Sequence, residues 1–288
     1  MDSVIEKFTE WLKGILVSGI MNNLSGMFAS VNEKVGTVAS EIGTTPSEFS
    51  PAVFSMIRNL SETVILPVAG IILTFIACYE LIQMVTEHNN LANLDTWIFF
   101  KWIFKTAVAV LLISNTFDIV MAVFDVGQYI VQQSSGLIQG GTAIDDGMMS
   151  GMQSVIEGME LGEVIGLYLQ SFLVQFLVHV LSAAIFVIVY GRMIEIYLMT
   201  SLAPIPMATF GNREQSQMGQ NYLKSLAALS LQGFLIMICI AIYSVLVQTV
   251  SVSDDIIGSL WGIVGYTVLL CFTLFKTGSV AQKVLSAH

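Results

Sequence analysis

The sequence predicts an all-α membrane protein: a polytopic bundle of about five to six transmembrane helices, with one proline-broken, re-entrant segment and an N-terminal amphipathic helix. Two observations lead to this fold class. Hydrophobic residues make up 55% of the chain and charged residues only 11%, which differs greatly from the composition of a soluble globular domain. The apolar residues also cluster in long runs without charge, as a bilayer requires.

Five of these runs are long enough to cross the hydrocarbon core, since a helix needs about 20 apolar residues at a rise of about 1.5 Å per residue. The second run carries one acid, Asp118, and the third and fourth carry no charge. The predicted spans are 62–84, 106–124, 164–191, 225–253 and 256–275. The chain is therefore divided into an N-terminal region 1–50, two spans within 51–125, an extracytoplasmic segment 126–163 and a C-terminal core 164–288.

The N-terminal region begins as an amphipathic helix, because apolar residues recur at helical spacing while acids and lysines occupy the other side. This pattern favours a helix at the membrane surface over a cleaved signal peptide. Residues 14–31 are an alternative sixth crossing, and residues 35–51, rich in Gly, Ser and Thr, are predicted to be a loop. The apolar face consists of Ile5, Phe8, Leu12 and Ile15.

Residues 196–210 are apolar but cannot form one regular helix. Pro204 and Pro206 lack the backbone N–H that a helix interior uses, and each disfavours helical geometry in the residue before it. At membrane depth, a broken backbone requires protein or water to satisfy its polar groups. The segment is therefore predicted to dip into the membrane and return, and a plain interfacial turn is the alternative.

Lysine and arginine in short loops indicate the cytoplasmic side of a membrane protein. Residues 125–163 contain six acids and no base, so this segment is predicted to be extracytoplasmic. The bases cluster in the C-terminal tail and between the third and fourth spans, at Arg192, Arg213 and Lys224. Five spans then place the N-terminus outside the cytoplasmic membrane and the C-terminus in the cytoplasm.

A second amphipathic helix is predicted to follow Asp145 or Asp146, either of which can cap it. Its apolar face is rich in methionine, a side chain that adapts to partner surfaces. We expect this face either to dock a partner helix or to pack on the chain's own membrane domain. The face consists of Met148, Met152, Val155 and Met159.

The sequence contains no pattern typical of an enzyme, a cofactor site or a metal centre. The three histidines have no carboxylate cluster beside them, and His179 is expected to pack in the protein or to line a pore. Cys78, Cys239 and Cys271 fall within predicted spans and are expected to be small buried hydrophobes. A phosphate-binding glycine loop is missing from the sequence, which argues against a motor protein.

Ionisable residues in or near the spans are the remaining functional candidates, because charge is costly inside a bilayer. Asp118 is the deepest of them by sequence. Lys101 and Lys105 stand one turn apart near the inner end of the second span, where they either line an entrance or reach to the interface. Arg192 and Glu195 are three residues apart and can pair across a helical turn, the alternative being a surface salt bridge of small value.

The C-terminal half resembles a known family in the order and spacing of several residues. Arg192 and Glu195 precede Ala203-Pro204-Ile205-Pro206-Met207-Ala208-Thr209-Phe210-Gly211, which is followed by Gly219, Tyr222, Lys224 and Leu231-Gln232-Gly233. This pattern is similar to the TrbL-type family of polytopic inner-membrane channel subunits of type IV secretion and conjugation systems, in the form found in conjugative elements of Gram-positive bacteria. The N-terminal half agrees with the family mainly in hydropathy.

The resemblance implies a homo-oligomeric channel subunit in the cytoplasmic membrane, with the proline-broken segment contributing to the channel or to its assembly. Its partners would be the other membrane subunits, the ATPases and the coupling protein, and its transient cargo would be single-stranded DNA with a relaxase, or an effector protein. No cofactor is implied. The longest extracytoplasmic segment is modest, so a large external domain is not implied here.

Direct evidence for DNA contact in the sequence is slight. The chain has a net charge of −10 and scattered bases, whereas a DNA-binding surface clusters Lys and Arg. Contact with DNA would have to be brief, or it would need a lumen in which several copies repeat the bases Lys101, Lys105, Arg192, Arg213 and Lys224. The alternatives are a solute transporter that uses Asp118 as its coupling group, although no internal repeat is evident, and a scaffold that conducts nothing.

The predicted sidedness can be measured by labelling single cysteines from outside intact cells. We expect Ser135→Cys to react, because it lies in the acidic segment, and Ser216→Cys to be protected, because it lies among cytoplasmic bases. Ser40→Cys then reports whether residues 14–31 cross the membrane. Protection of Ser135→Cys together with reaction of Ser216→Cys would reverse the assigned orientation.

Overall fold

The computed structural model describes residues 2–87, 96–137, 146–212, 214–249 and 256–287. All regular structure in these ranges is helical, which confirms the all-α class. The helices are α1 (Asp2–Ile42), α2 (Pro46–Phe49), α3 (Pro51–Leu60), α4 (Leu66–Glu87), α5 (Thr96–Ser114), α6 (Thr116–Leu137), α7 (Asp146–Gly158), α8 (Leu161–Leu202), α9 (Pro204–Ala208), α10 (Ser216–Gln248) and α11 (Ile256–Val284). A π-helical turn, Ser61–Ile65, joins α3 to α4, and a 3-10 turn, Thr209–Gly211, follows α9.

Among the described residues, five helical stretches are long and apolar enough to cross a membrane. This number agrees with the five predicted spans, and the chain is a multi-pass membrane protein. The helix α1 is not one of the five. The stretches are Pro51–Thr86, Thr96–Ser114, Leu161–Gly211, Ser216–Val247 and Trp261–Val284.

The second span differs from the prediction, because it covers 96–114 instead of 106–124. The regular helix is interrupted at Asn115, between α5 and α6. The side chains of Asn115 and Thr116 donate to the carbonyl oxygens of Leu111 (2.8 Å) and Leu112 (2.9 Å), respectively. Short polar side chains that bond to nearby backbone in this way compete with regular helix geometry.

The N-terminal helix is longer than predicted. The α1 helix contains 41 residues, about 62 Å at the usual helical rise, so the prediction of a loop over 35–51 is wrong for its first eight residues. Val38 and Ile42 are buried, and burial of an apolar face overrides a weak local propensity. The chain after α1 is also ordered, since α2 carries a reciprocal capping box between Thr45 and Glu48.

The capping box has an electrostatic consequence for Glu48. The backbone N–H and the hydroxyl of Thr45 donate to its carboxylate, at 3.1 and 2.9 Å. These two hydrogen bonds hold the pKa of Glu48 below its ordinary value, because they favour the charged form. The hydroxyl of Tyr197 in α8 also donates to the carbonyl of Pro46 (2.7 Å), which ties this connection to the core.

The chain divides into two compact units. The first comprises Met1–Ile42, Gln133–Tyr190 and Ile236–Lys276. In it, α7 packs on α1, and the ammonium of Lys13 donates to the carbonyl of Glu157 (2.7 Å). Small residues let α8 approach α1 closely, since Gly19 lies against the ring of Tyr168. Glycine at such a contact is typical of helices that pack in membranes.

The second unit comprises Gly43–Gln132, Gly191–Leu235 and Thr277–His288. In it, α4 and α5 pack together and α9 lies against both. The indole N–H of Trp102 in α5 donates to the carbonyl of Ala77 in α4 (3.0 Å). The α6 helix packs on α10, where the hydroxyl of Ser230 donates to the carbonyl of Val123 (2.9 Å).

The contact between α6 and α10 depends on Gly127. A Cβ atom at this position would overlap the hydroxyl of Ser230 and lie 3.0 Å from its backbone carbonyl oxygen, which cannot rotate away. We expect Gly127→Ala to lower the free energy of unfolding by about 1–3 kcal/mol, the usual cost of overpacking, measured as a lower melting temperature in detergent.

Gly70→Ala in α4 is the matched control, because nothing lies within 4 Å of the added Cβ. Alanine favours a helix by up to about 1 kcal/mol over glycine, so this variant should melt at the same temperature or slightly higher. A Gly127→Ala protein as stable as the Gly70→Ala protein would contradict the packing of α6 on α10.

Candidate functional site

The proline-broken segment lies where the prediction put the break, with one correction to its start. The α8 helix continues regularly through Ile196 to Leu202, so the break covers 203–212 and not 196–210. The regular helix persists to Leu202, two residues before Pro204, because a proline removes only its own N–H from the hydrogen-bond pattern of the preceding helix. Pro204 is the first residue of α9, and Pro206 lies within it.

Protein surrounds this broken segment. Met207 and Ala208 are buried in a hydrophobic cluster with Leu73 of α4 and Ala109 and Ile113 of α5. Side chains also satisfy polar groups there. The hydroxyl of Thr209 donates to the carbonyl of Pro206 (2.7 Å) and accepts from the backbone N–H of Gly219 (3.1 Å). The broken backbone is thus held by protein contacts, as the sequence predicts.

The chain returns after the break, because α10 runs antiparallel to the end of α8. The hydroxyl of Tyr222 donates to the carbonyl of Met199 (2.7 Å), and the guanidinium of Arg192 donates to the carbonyl of Leu229 (3.4 Å). Gly219 allows the tight approach at this turn, since a Cβ there would lie 2.9 Å from the carbonyl oxygen of Pro206.

An ion pair joins α4 and α5. The ammonium of Lys105 contacts the carboxylate of Glu80. Nine residues of α5 lie on either side of Lys105, so this lysine occupies the middle of the second span and not its inner end, as the earlier break at Asn115 requires. The side chain of Lys105 keeps 39% of its surface exposed and that of Glu80 keeps 16%. Charges at such a depth are found paired and facing protein or water.

Lys101 lies one helical turn from Lys105 and is exposed. Its ammonium is 6.0 Å from the centre of the Trp97 ring, within the range of a cation–π contact. Within the described residues, Lys101 forms no ion pair. Of the two lysines, Lys101 is therefore the one without a carboxylate partner in the part of the chain that the structure describes.

Asp118 lies outside the second span, so the prediction that this span carries it is wrong. It lies in the first turn of α6, after the second span has ended, and its side chain is 71% exposed. Arg58 approaches it at 3.8 Å and binds Glu62 at 2.8 Å. The guanidinium of Arg58 also lies over the ring of Phe117, 5.2 Å from its centre. Asp118 thus belongs to a surface charge cluster.

The predicted pairing of Arg192 with Glu195 does not form in the described part of the chain. Arg192 is buried and turns toward α10, whereas Glu195 is exposed. Gln232 of α10 is buried in the same region, and its amide donates to the hydroxyl of Thr277 in α11 (3.4 Å). The Nε atom of Arg192 and the Oε1 atom of Gln232 are buried and have no hydrogen-bond partner among the described residues.

The remaining predicted residues are spread over the chain. Lys224 is exposed on α10. In α7, which starts at Asp146, Met152 is buried and Val155 is partly buried; Met159, partly buried too, directly follows the helix. Asp145, Arg213, His88, His288 and the side chain of Met148 lie outside the described residues.

One histidine and three cysteines lie in the described part of the chain. The Nδ1 atom of His179, which is exposed, lies 2.8 Å from the carbonyl of Gln175 one turn earlier. Cys271 is buried as expected, Cys239 is partly buried, and Cys78 is exposed, contrary to the expectation. Among the described residues, no three His, Cys, Asp or Glu side chains are grouped so that they could hold a metal ion.

Sequence reasoning missed Glu80, Arg58 and Gln232 as members of polar contacts. Glu80 was used only to mark the end of a span. An acid in one helix and a lysine in the next, where a short connection joins the two helices, is a pattern typical of an ion pair between antiparallel helices. Gln232 belonged to the family-like pattern, but its burial against α11 has no local signal. Arg58 had no signal, because Asp118 follows it by sixty residues.

A family model described as TrbL/VirB6 plasmid conjugal transfer like protein matches residues 31–204. The matched range contains α2 to α8, with Arg192 and Glu195, and ends at Pro204. The expectation that the resemblance is concentrated in the C-terminal half is therefore wrong, because the match lies mostly before it. Comparisons with curated proteins and with solved structures give no match.

The ion pair between α4 and α5 can be tested by a double-mutant cycle. Glu80→Gln and Lys105→Met each leave one charge without its partner in the apolar hairpin that α4 and α5 form, so each should destabilise the protein. The double variant should cost less than the sum, with a coupling of about 0.5–3 kcal/mol, measured by thermal unfolding in detergent. Additive effects would show that the two side chains do not interact.

Proposed function

Because the chain belongs to the TrbL/VirB6 plasmid conjugal transfer like family, we propose that it lines part of the channel of a type IV secretion machine. It is a multi-pass membrane component of conjugal transfer, and it associates with other components of that system. In our proposal, several copies surround a path for single-stranded DNA with its relaxase, or for an effector protein, across the cytoplasmic membrane.

The observation that carries this proposal is the partly exposed ion pair of Glu80 and Lys105 in the middle of the hairpin. Lipid tails cannot solvate the exposed part of Lys105. This face of the hairpin therefore meets water or another protein, and repetition of the chain around a water-filled path supplies both. Lys101 lies four residues from Lys105 and therefore on the same face of α5.

Lys101 is the base best suited to touch a nucleic acid in such a path. Glu80 balances the charge of Lys105, whereas Lys101 has no carboxylate partner in the described residues. A ring of single lysines attracts phosphates without holding them tightly, because each phosphate contact adds a modest, salt-dependent contribution. Weak contact suits a cargo that must move on.

The buried break would support the wall of this path from behind. Pro204 and Pro206 let α9 lie against α4 and α5, and this contact supports the hairpin from the side of the chain's own core. We place Arg192 to Lys224 and the C-terminus in or next to the cytoplasm, where the ATPases and the coupling protein work. Docking of other membrane subunits would use the part-exposed Val155 and Met159 and not the buried Met152.

The alternative functions receive less support. A solute transporter that used Asp118 for coupling would need this acid at the substrate path, but Asp118 lies in a surface cluster with Arg58. A scaffold that conducts nothing would share the same fold. Crosslinking of transferring DNA to this subunit separates channel from scaffold, since only a channel contacts the cargo.

The contribution of the Lys101 charge to transfer can be tested in a mating assay. We expect Lys101→Gln to lower the frequency of transfer on the order of tenfold, because one phosphate contact per copy is lost. Replacing Lys105 as well, together with Glu80→Gln to avoid an unpaired acid, should lower it further. Protein levels in the membrane are compared by immunoblotting.

Lys276→Gln provides the matched control, as it removes an exposed lysine from α11 instead of α5. It should leave transfer unchanged if the hairpin faces the cargo. Normal transfer by the Lys101→Gln variant and by the variant with both lysines replaced, at wild-type protein levels, would overturn the proposal that these lysines line the path.

A further inference from the structure

The α1 helix packs along α8 in the first unit, and the two helices run parallel. Four side-chain contacts join them, and in each pair the residue numbers differ by 148 or 149. A constant difference means that the two helices advance together in the same direction. The contacts extend from Gly19 to Glu41, about 33 Å along the helix at the usual rise. The pairs are Gly19 with Tyr168, Asn23 with Ser171 (3.0 Å), Gly26 with Gln175 and Glu41 with Tyr190 (3.2 Å).

This packing places α1 at the depth of a membrane span. Residues 164–191 of α8 carry no charge, and residues 14–32 of α1 carry none either. With a difference of 149, residues 15–32 of α1 lie beside residues 164–181 of α8. The uncharged stretch of α1 is about 28 Å long, close to the thickness of about 30 Å of the hydrocarbon core. A helix that accompanies α8 through this depth is inside the bilayer.

One face of α1 is polar over the same depth. Ser18, Asn22 and Ser25 recur at helical spacing and are exposed, whereas Val17 and Leu24 are buried. The amide of Asn22 makes no hydrogen bond among the described residues. Lipid tails offer no partner to an amide or a hydroxyl. This face therefore requires water or another protein.

Two open grooves of about 660 Å³ each lead along α1 to this face. Both are lined by Glu10, Ser18 and Asn22, so they reach from a charged residue outside the uncharged stretch to an amide inside it. Asn22 lies eight residues beyond Gly14, about 12 Å into that stretch. Lys13 also lines the groove beside α7, and charged side chains bind water and exclude lipid tails. The grooves therefore provide a route for water from the surface to Asn22.

We propose that α1 crosses the membrane parallel to α8 and that its polar face, Ser18, Asn22 and Ser25, lines the water-filled path of the channel. The crossing depends only on the packing of α1 on α8. The assignment of the face to the channel path rests on the proposed function. Over this stretch, hydroxyl and amide groups offer hydrogen bonds to water without a fixed charge that would hold or repel the cargo.

The crossing changes the predicted topology from five spans to seven. Parallel helices start on the same side of the membrane, and α8 follows the acidic segment 126–163, which is predicted to be extracytoplasmic. The N-terminus therefore stays outside, and Arg58 moves to the cytoplasmic side, as the distribution of Lys and Arg favours. An odd number of crossings must separate α1 from α8. The α4 and α5 helices supply two of them, and α6, with 22 residues or about 33 Å, is long enough to supply the third.

The crossing is tested by labelling single cysteines, after Cys78, Cys239 and Cys271 are replaced by alanine. A membrane-impermeant thiol reagent added to intact cells should label Glu6→Cys, which lies before the uncharged stretch. The same reagent should leave Ser40→Cys unlabelled in cells and should label it in inverted vesicles. Labelling of both cysteines in the same preparation alone, whether cells or vesicles, would overturn the crossing.

The polar face is tested with the same reagent at positions within the span. Asn22→Cys and Ser25→Cys should be labelled from outside, because a thiol in contact with water ionises and reacts. Phe172→Cys is the matched control, since Phe172 lies on α8 at the depth of Asn23 and is 62% exposed on an apolar face. It should react at least about tenfold more slowly, because a thiol surrounded by lipid does not ionise.

Equal labelling of Asn22→Cys, Ser25→Cys and Phe172→Cys would overturn the water-lined face. Oxidative dimers of Asn22→Cys without labelling would also overturn it, because they would assign the face to a second copy. Immunoblotting of the membrane fraction identifies a variant that does not fold, and the other position on α1 then decides. The mating assay of the Lys101 variants measures the proposed function separately, so normal transfer there would not alter the labelling of α1.

Discussion

Two prolines in an apolar stretch create the constraint from which the rest of this structure follows. Their missing N–H groups free backbone carbonyls, and lipid cannot bind to these. The protein satisfies the break with its own groups: Thr209 bridges the carbonyl of Pro206 and the N–H of Gly219. Burial of α9 against α4 and α5 then excludes lipid from the break. The hairpin, the break and the antiparallel start of α10 therefore depend on one another.

The charges inside the apolar hairpin are also satisfied by groups of the protein itself. Glu80 and Lys105 neutralise each other across two helices, and the exposed part of Lys105 still needs a polar neighbour. Arg192 and Gln232 are a different case, since each keeps a buried polar atom unpaired among the described residues. Paired charges in the hairpin suit a structural role beside a water path.

Much of the fold was predictable because the bilayer imposes strong local rules. The five apolar stretches, the helix that begins at Asp146 and the break at Pro204 depend only on composition, local pattern and the chemistry of proline. Predictions failed where neighbours from distant parts of the chain decide. Residues 35–42 are helical because Val38 and Ile42 are buried, and the second span ends early because Asn115 and Thr116 bond to the preceding turn.

The sequence by itself determined that this chain is a helical membrane protein with a broken segment, since hydropathy and proline geometry act within one stretch of chain. Only the tertiary structure decided the partners of the charges. Arg192 donates a hydrogen bond to the backbone of α10, Asp118 lies beside Arg58 at the surface, and Lys105 pairs with Glu80. The reason is physical: the energy of a charge depends on its nearest polar neighbours and on solvent access, and both are set by helices that are distant in the sequence.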